Sequence, residues 1–487
     1  MAGQRLGPSI LSGLGWKWIS QLVTVVARIV SVIVVARLLG PGEFGLAAMA
    51  LGFSALGTVL ADAALGSAIV QRRTLTEADR STAFWMGLAT GAVLALAGIA
   101  SAGAVASFYG EPRVGPLFTA LSCGFLLGAL AATPAALLTR AMRFRVLELA
   151  RMAGAVVGTI AAVSIAAADG GAWAIVVQQL VGLALVTVLV WGAARWRPRL
   201  LWSRASFRAL AGFSLHLLLT RVFFYLQRNA DNLIIGRQIG AAGLGAYALA
   251  YNVMMLPFAR VVDPLRAVLL PAFSRVQEDP RRIGELWLRG TRAVSALFFP
   301  AMLGLVVVAP DLVEAALGER WTAAVDPLRV LALVGVIQAV IVLNSTVLTA
   351  LARTAQLLRF SFVTFVLSVA GFLVGVQYGI TGVAAGYLVA NLLVVPLYVR
   401  LTARAVDVPV RALAAALSGT TQAALGVFGI AAATRAALIA AGLGPGPRLA
   451  LTAAVGAAAA IALTAWREPG VRDELRGLRD LARLRGT

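Results

Sequence analysis

Four polar residues in an apolar run are the first that could do chemistry. Lys17, Gln21, Thr24 and Arg28 stand at i, i+4, i+7 and i+11, which is one stripe of a helix. Arg221, Tyr225, Arg228 and Asn232 repeat that spacing in a later run. The helix that follows carries Asn252, Arg260, Asp263 and Arg266, and other apolar runs hold Asp62, Gln338 and Asn344. Ionised groups at membrane depth are costly, so they face a protein interior or a wet cavity. A guanidinium fork matches phosphate oxygens two at a time. Arg28, Arg221 and Arg260 stand at similar depth, and together with Arg228 they are therefore expected to line a cationic cavity suited to a multiply charged anion such as pyrophosphate. Gln21, Tyr225, Tyr247, Tyr251, Asn252 and Gln338 would supply polar and aromatic contacts for sugars. Asp62, Asp231 and Asp263 are the candidates for ion coupling. A packing role competes with each assignment. Arg228 and Arg260 have Asp231 and Asp263 three residues away and can be neutralised locally, whereas Arg28 and Arg221 have no local acid.

The elements that must position these residues are membrane helices. The chain has 487 residues, of which 60% are hydrophobic, and a mean hydropathy of +0.89. No soluble domain of this size needs so much apolar surface. Apolar runs recur from end to end and read as about 14 spans, each long enough to cross the hydrocarbon. The expected fold is an all-α polytopic membrane protein. ARLLGPGEFGLAAMA (36–50) aligns without a gap with GRQIGAAGLGAYALA (236–250). Arg37/Arg237, Gly40/Gly240, Gly45/Gly245, Ala48/Ala248 and Ala50/Ala250 coincide. A weaker echo sets 168–171 opposite 379–382. The repeat predicts two six-helix lobes of parallel orientation, 1–208 and 209–411. Two Ala-rich spans (412–466) have no counterpart and are expected at the lipid-facing periphery. A basic tail (467–487) is expected on the inner leaflet, attracted to anionic lipid.

The formal net charge is +21, almost all of it arginine, with Lys17 the single lysine. The arginines crowd alternate loops, as in Arg140, Arg143 and Arg145, then Arg195, Arg197, Arg199 and Arg204. The intervening loops, such as GPGE and AGLGPGP, are poor in arginine. That alternation follows the positive-inside rule rather than nucleic-acid binding, and it places both termini in the cytoplasm. The first apolar run is too long for a cleaved signal peptide and is expected to be retained. Cys123 lies in an apolar run and reads as a small core residue. His216, the single histidine, reads as a packed residue rather than a base. There is no HExxH, GxSxG, Walker A or zinc spacing, so no catalytic residue, cofactor or metal is expected.

Several stretches in order resemble the Wzx-type flippases of the multidrug/oligosaccharidyl-lipid/polysaccharide exporter superfamily, nearest the colanic-acid-exporter-like branch. They are ARLLGPGEFGLAAMA, LADAALGSAIVQRRTLTEADRSTAFW, RNADNLIIGRQIGAAGLGAYALAY, LPAFSRVQEDPRRI and LGERWTAAVDPLRVLALVGVIQ, and the likeness covers roughly residues 10–410. The resemblance implies fourteen helices in two lobes and alternating access. It also implies transfer of an undecaprenyl-pyrophosphate-linked oligosaccharide to the outer leaflet of a bacterial inner membrane. The implied partners are that lipid-linked oligosaccharide, membrane lipid and polysaccharide polymerase machinery. The family supplies no motif for site residues, so those above rest on the charge reading. Two other classes compete. A small-molecule cation antiporter of the same superfamily needs an acidic cavity, which this arginine-rich chain does not suggest. A membrane polymerase or ligase needs a large outer loop for its catalytic groups, and the outward loops are short.

Overall fold

In the computed structural model the described residues are 6–62, 75–204 and 215–467, and they are helical with short connections. Some helical side chains lie outside that description, those of Gln21, Arg28, Asp62, His216, Arg221, Arg260 and Asp263 among them. Eleven segments among the described residues are long and apolar enough to cross a bilayer. With no water to satisfy the backbone in hydrocarbon, each must close its own hydrogen bonds as a helix. The chain divides into two units, Met1–Gly245 and Ala246–Thr487.

The first unit begins with α1 (Leu6–Asp62), which is broken at Gly40 (φ 76°, ψ 172°) just before Pro41. Next come α2 (Glu77–Tyr109), α3 (Val114–Arg140), α4 (Phe144–Ala167), α5 (Trp173–Ala194) and α6 (Leu215–Gln238). The start of α7 (Ala241–Arg275) completes the unit. A capping box sets the start of α2: Thr76 Oγ1 accepts from the Asp79 N–H, and Asp79 accepts from the Thr76 N–H. Gly110, left-handed, ends that helix. α1 packs on α3, α4 and α6, α2 on α3, and α4 on α5.

The sequence repeat has a direct structural expression inside this unit. Gly40 and Gly240 both take positive φ, 76° and 92°, so each breaks one helix from the next at the equivalent turn. Five residues on, Gly45 lies against the Ala241 carbonyl and Gly245 against the Pro41 carbonyl, each too close to admit a Cβ. The contact is reciprocal: position 45 meets 241 as 245 meets 41.

The second unit holds the rest of α7, then α8 (Pro280–Leu317), a 3₁₀ turn (Glu319–Ala324), α9 (Val325–Ile341) and α10 (Asn344–Ala350). α11 (Thr354–Gly375), α12 (Gly379–Ala405), α13 (Val410–Ala440) and α14 (Pro445–Arg467) complete it. Asp279 caps α8 by accepting from the Arg282 N–H, with Pro280 in the first turn. α8 packs on α9, α13 and α14, and α11 on α12. The α11–α12 pair is built on glycines: a Cβ on Gly371 would stand 2.5 Å from the Gly386 carbonyl oxygen. In the first unit the α4–α5 pair does the same: a Cβ on Gly154 would stand 2.7 Å from the Gly182 carbonyl oxygen, and one on Gly182 3.0 Å from that of Gly154. These are the pairs that the weaker sequence echo relates.

Two helices outrun their apolar stretches, and one sequence expectation changes. Helices α13 and α14 extend beyond the limits set by hydropathy and carry Arg435 and Arg448. Both arginines reach Asp311 of α8, whose side chain is fully buried, and Arg448 also lies 3.7 Å from Glu314. The last two helices are therefore fixed to α8 by charge as well as by apolar contact. Cys123 is exposed rather than core, and its thiol points to the Thr119 carbonyl at 3.6 Å. An apolar run in a membrane helix has a lipid face as well as a packed one, and composition does not tell the two apart.

Candidate functional site

In the second unit, a polar layer surrounds a helix break. Val342 and Leu343 form a two-residue turn between α9 and α10. The last carbonyls of a helix lack partners within it, and in hydrocarbon such groups need another donor. Arg266 of α7 supplies one. Its Nη2 donates to the Val342 carbonyl at 2.8 Å and its Nε at 3.3 Å. Among the described residues no carboxylate lies within ion-pair distance of Arg266. On the α10 side, Asn344 is completely buried. Its Oδ1 accepts from the Trp287 indole N–H at 2.9 Å, and its Nδ2 has no partner among the described residues. Tyr398 of α12 stacks on Phe360, with ring centroids 3.7 Å apart. About one turn before the break, Gln338 Nε2 donates to the Tyr387 hydroxyl at 3.0 Å. The layer thus holds a half-buried guanidinium, a buried amide with donor capacity to spare and a buried, stacked aromatic pair.

The first unit has an aromatic group toward the Gly110 end of α2. Phe53 meets Phe108, Tyr109 and Phe118 edge to face at 5.7, 5.8 and 6.2 Å. The Arg237 guanidinium lies over the Phe108 ring at 6.0 Å and donates to the Ser107 carbonyl. Nearby, Glu43 joins three helix starts. It pairs with Arg113 at 2.7 Å and accepts from the Ala172 N–H at 2.8 Å. A cleft of about 210 Å³ lined by Leu38, Glu43, Arg113, Asp169 and Gly171 opens beside it.

The sequence-selected residues fall into three groups. The side chains of Gln21, Arg28, Asp62, Arg221, Arg260 and Asp263 lie outside the described ones. Tyr225 is buried, and its hydroxyl donates to the Gly52 carbonyl of α1, so it ties α6 to α1. Asp231 is buried while Arg228, one turn away, is exposed, and Asp231 Oδ1 accepts from the Asn232 N–H at 2.8 Å. Tyr251 stacks on the buried Tyr247 at 6.4 Å, and Asn252 is exposed. Of the proposed sugar contacts with described side chains, Gln338 is the one found in the polar layer. Arg266 and Asn344 are visible in the sequence as polar residues in apolar helices. Nothing in it marks the break that brings them to one level.

Residues 34–326 match the family described as polysaccharide biosynthesis protein. The chain is similar to the lipopolysaccharide biosynthesis protein WzxC of Escherichia coli (strain K12), with 28% identity over 386 residues covering 79% of this chain and 78% of the other. It is also similar to the teichuronic acid biosynthesis protein TuaB of Bacillus subtilis (strain 168), with 26% identity over 393 residues covering 75% and 81%. Among solved structures, the lipid II flippase MurJ in an inward closed conformation matches with a TM-score of 0.74 over 93% of this chain and 98% of that one. Its sequence identity is 12%, so this is a likeness of fold.

Proposed function

The chain belongs to the polysaccharide biosynthesis protein family, within the multidrug/oligosaccharidyl-lipid/polysaccharide exporter superfamily, and from that membership we propose that it is a flippase for undecaprenyl-pyrophosphate-linked oligosaccharides. It moves the repeat unit from the cytoplasmic to the periplasmic leaflet of a bacterial inner membrane by alternating access, for exopolysaccharide or lipopolysaccharide synthesis. Fourteen spans form two six-helix lobes, 1–208 and 209–411, followed by 412–466 and a basic tail, with both termini cytoplasmic. Polysaccharide polymerase machinery takes up the product.

The work divides by chemistry. Sugars need hydrogen bonds and aromatic faces, the pyrophosphate needs cations, and the polyprenyl chain stays in lipid. Arg28, Arg221, Arg228 and Arg260 are the cations expected from the sequence, and Arg266 joins them. Gln21, Tyr251, Asn252 and Gln338 are the sugar contacts, Tyr225 being held to the Gly52 carbonyl, and Asp62, Asp231 and Asp263 couple an ion. The observation that carries the reading is the likeness over most of the chain to WzxC, named for lipopolysaccharide biosynthesis, and to TuaB, named for teichuronic acid biosynthesis. The test is complementation of a strain lacking its polysaccharide flippase. Restored surface polysaccharide is the expected result. Continued accumulation of the lipid-linked unit in the inner leaflet, with the protein inserted, contradicts it.

A further inference from the structure

The connection after α5 is a strap rather than a slack loop. Residues 195–203 run without helix, yet four hydrogen bonds pin them to the start of α2. The Trp196 indole donates to Glu77 Oε1 at 2.8 Å. The Arg199 N–H donates to Ser81 Oγ at 3.2 Å, and the Arg199 carbonyl accepts from the Trp85 indole at 2.9 Å. The Ser203 N–H donates to Thr82 Oγ1 at 3.0 Å. Ser81 and Thr82 are fully buried. Phe84 sits among Trp85, Trp191 and Trp196, with ring centroids 5.3–5.9 Å away.

Pinning one side of the strap turns the other side out. Leu200 is 89% exposed, Trp202 55% and Leu201 41%. The side chains of Arg195, Arg197, Arg199 and Arg204 are also exposed. Backbone that is not helical cannot lie in hydrocarbon beside lipid, so the strap lies at headgroup level. Two leucines and a tryptophan at that level favour the acyl boundary over water. Arginines beside them reach phosphate oxygens. Tryptophans concentrated at one end of the helices mark the same level.

We propose that residues 195–204 form a docking surface for a leaflet rich in anionic phospholipid. Leu200, Leu201 and Trp202 enter the acyl boundary, and the flanking arginines bind lipid phosphates. The alternation of basic and apolar side chains fits that occupant, since a protein partner of matching acidity would leave the leucine pair in a polar setting. The surface is independent of the substrate site and does not rest on the proposed transport activity.

The test uses the full chain with Cys123→Ser and Leu200→Cys, labelled at residue 200 with an environment-sensitive fluorophore. The protein is reconstituted in vesicles of phosphatidylcholine alone or mixed with phosphatidylglycerol. Phosphatidylglycerol is expected to shift the emission to the blue and to lower iodide quenching by about threefold or more. Molar salt should erase the difference, and Arg197→Gln with Arg199→Gln and Arg204→Gln should do the same. Three results overturn the proposal. The first is equal quenching in both lipids. The second is protection that the arginine substitutions leave unchanged. The third is protection that persists in lipid-free detergent, which would show the strap covered by protein.

Discussion

Gly45 and Gly245, equivalent residues of the two repeats, each lie against the backbone of the other's turn, Gly45 on the Ala241 carbonyl and Gly245 on the Pro41 carbonyl. A side chain at either position meets main-chain atoms rather than a movable side chain. Gly45→Ala and Gly245→Ala should therefore each lower stability by roughly 1–3 kcal/mol. Because the contact is reciprocal, the two losses should be similar. Thermal melting in detergent measures this, and a large effect at one position with none at the other counts against the symmetry.

Arg266 holds the break between α9 and α10 through the Val342 carbonyl. Arg266→Gln should weaken that hold by roughly 1.5–3 kcal/mol, the usual worth of a charge-assisted bond. Arg266→Lys keeps the charge but cannot place two donors of a planar fork on one oxygen. Both variants should insert normally and export poorly. Arg266→Lys exporting at the wild-type rate would show that charge alone matters there.

Asp311 is buried beneath Arg435 and Arg448. Asp311→Asn leaves two cations without their common partner and should cost roughly 3–5 kcal/mol. Adding Arg435→Gln should recover part of the loss, because fewer charges then remain uncompensated. Protease protection of α13 and α14 reports the change, and an additive double variant argues that the three groups do not act together.

Tyr225 hydroxyl and the Gly52 carbonyl join α6 to α1. Tyr225→Phe should lower stability by roughly 0.5–1.5 kcal/mol with little change in the concentration of substrate needed for half-maximal transport. A marked rise in that concentration with stability intact would return Tyr225 to the sugar contacts.

How much of this was legible in the sequence follows from what leaves a trace in letters. The helical class shows in the apolar runs, and the turn at Gly40 and Gly240 shows because both positive φ and close backbone approach demand glycine. The α9–α10 break leaves no such trace. Neither Val342 nor Leu343 is a glycine or proline, and the donor that sustains the break comes from Arg266, 76 residues earlier. Arg435 and Arg448 were missed as anchors because hydropathy closes a span at the first charge, while a buried Asp311 on another helix lets the helix continue. In 195–204 the arginines are plain in the sequence, but the bonds to Glu77, Ser81, Thr82 and Trp85 that turn Leu200 outward come from a distant segment. The cationic residues Arg28, Arg221 and Arg260 rest on spacing alone, since their side chains lie outside the described ones.

The central claim is that arginines within the membrane carry a pyrophosphate headgroup across it. The direct measurement is transfer of a fluorescent undecaprenyl-pyrophosphate-linked oligosaccharide between leaflets of vesicles holding the purified protein. Wild type should accelerate transfer, and Arg28→Ala and Arg221→Ala should abolish that acceleration while remaining folded and inserted. Both variants transferring the lipid at the wild-type rate, or wild type moving a phosphate-free polyprenyl oligosaccharide equally fast, would contradict the account.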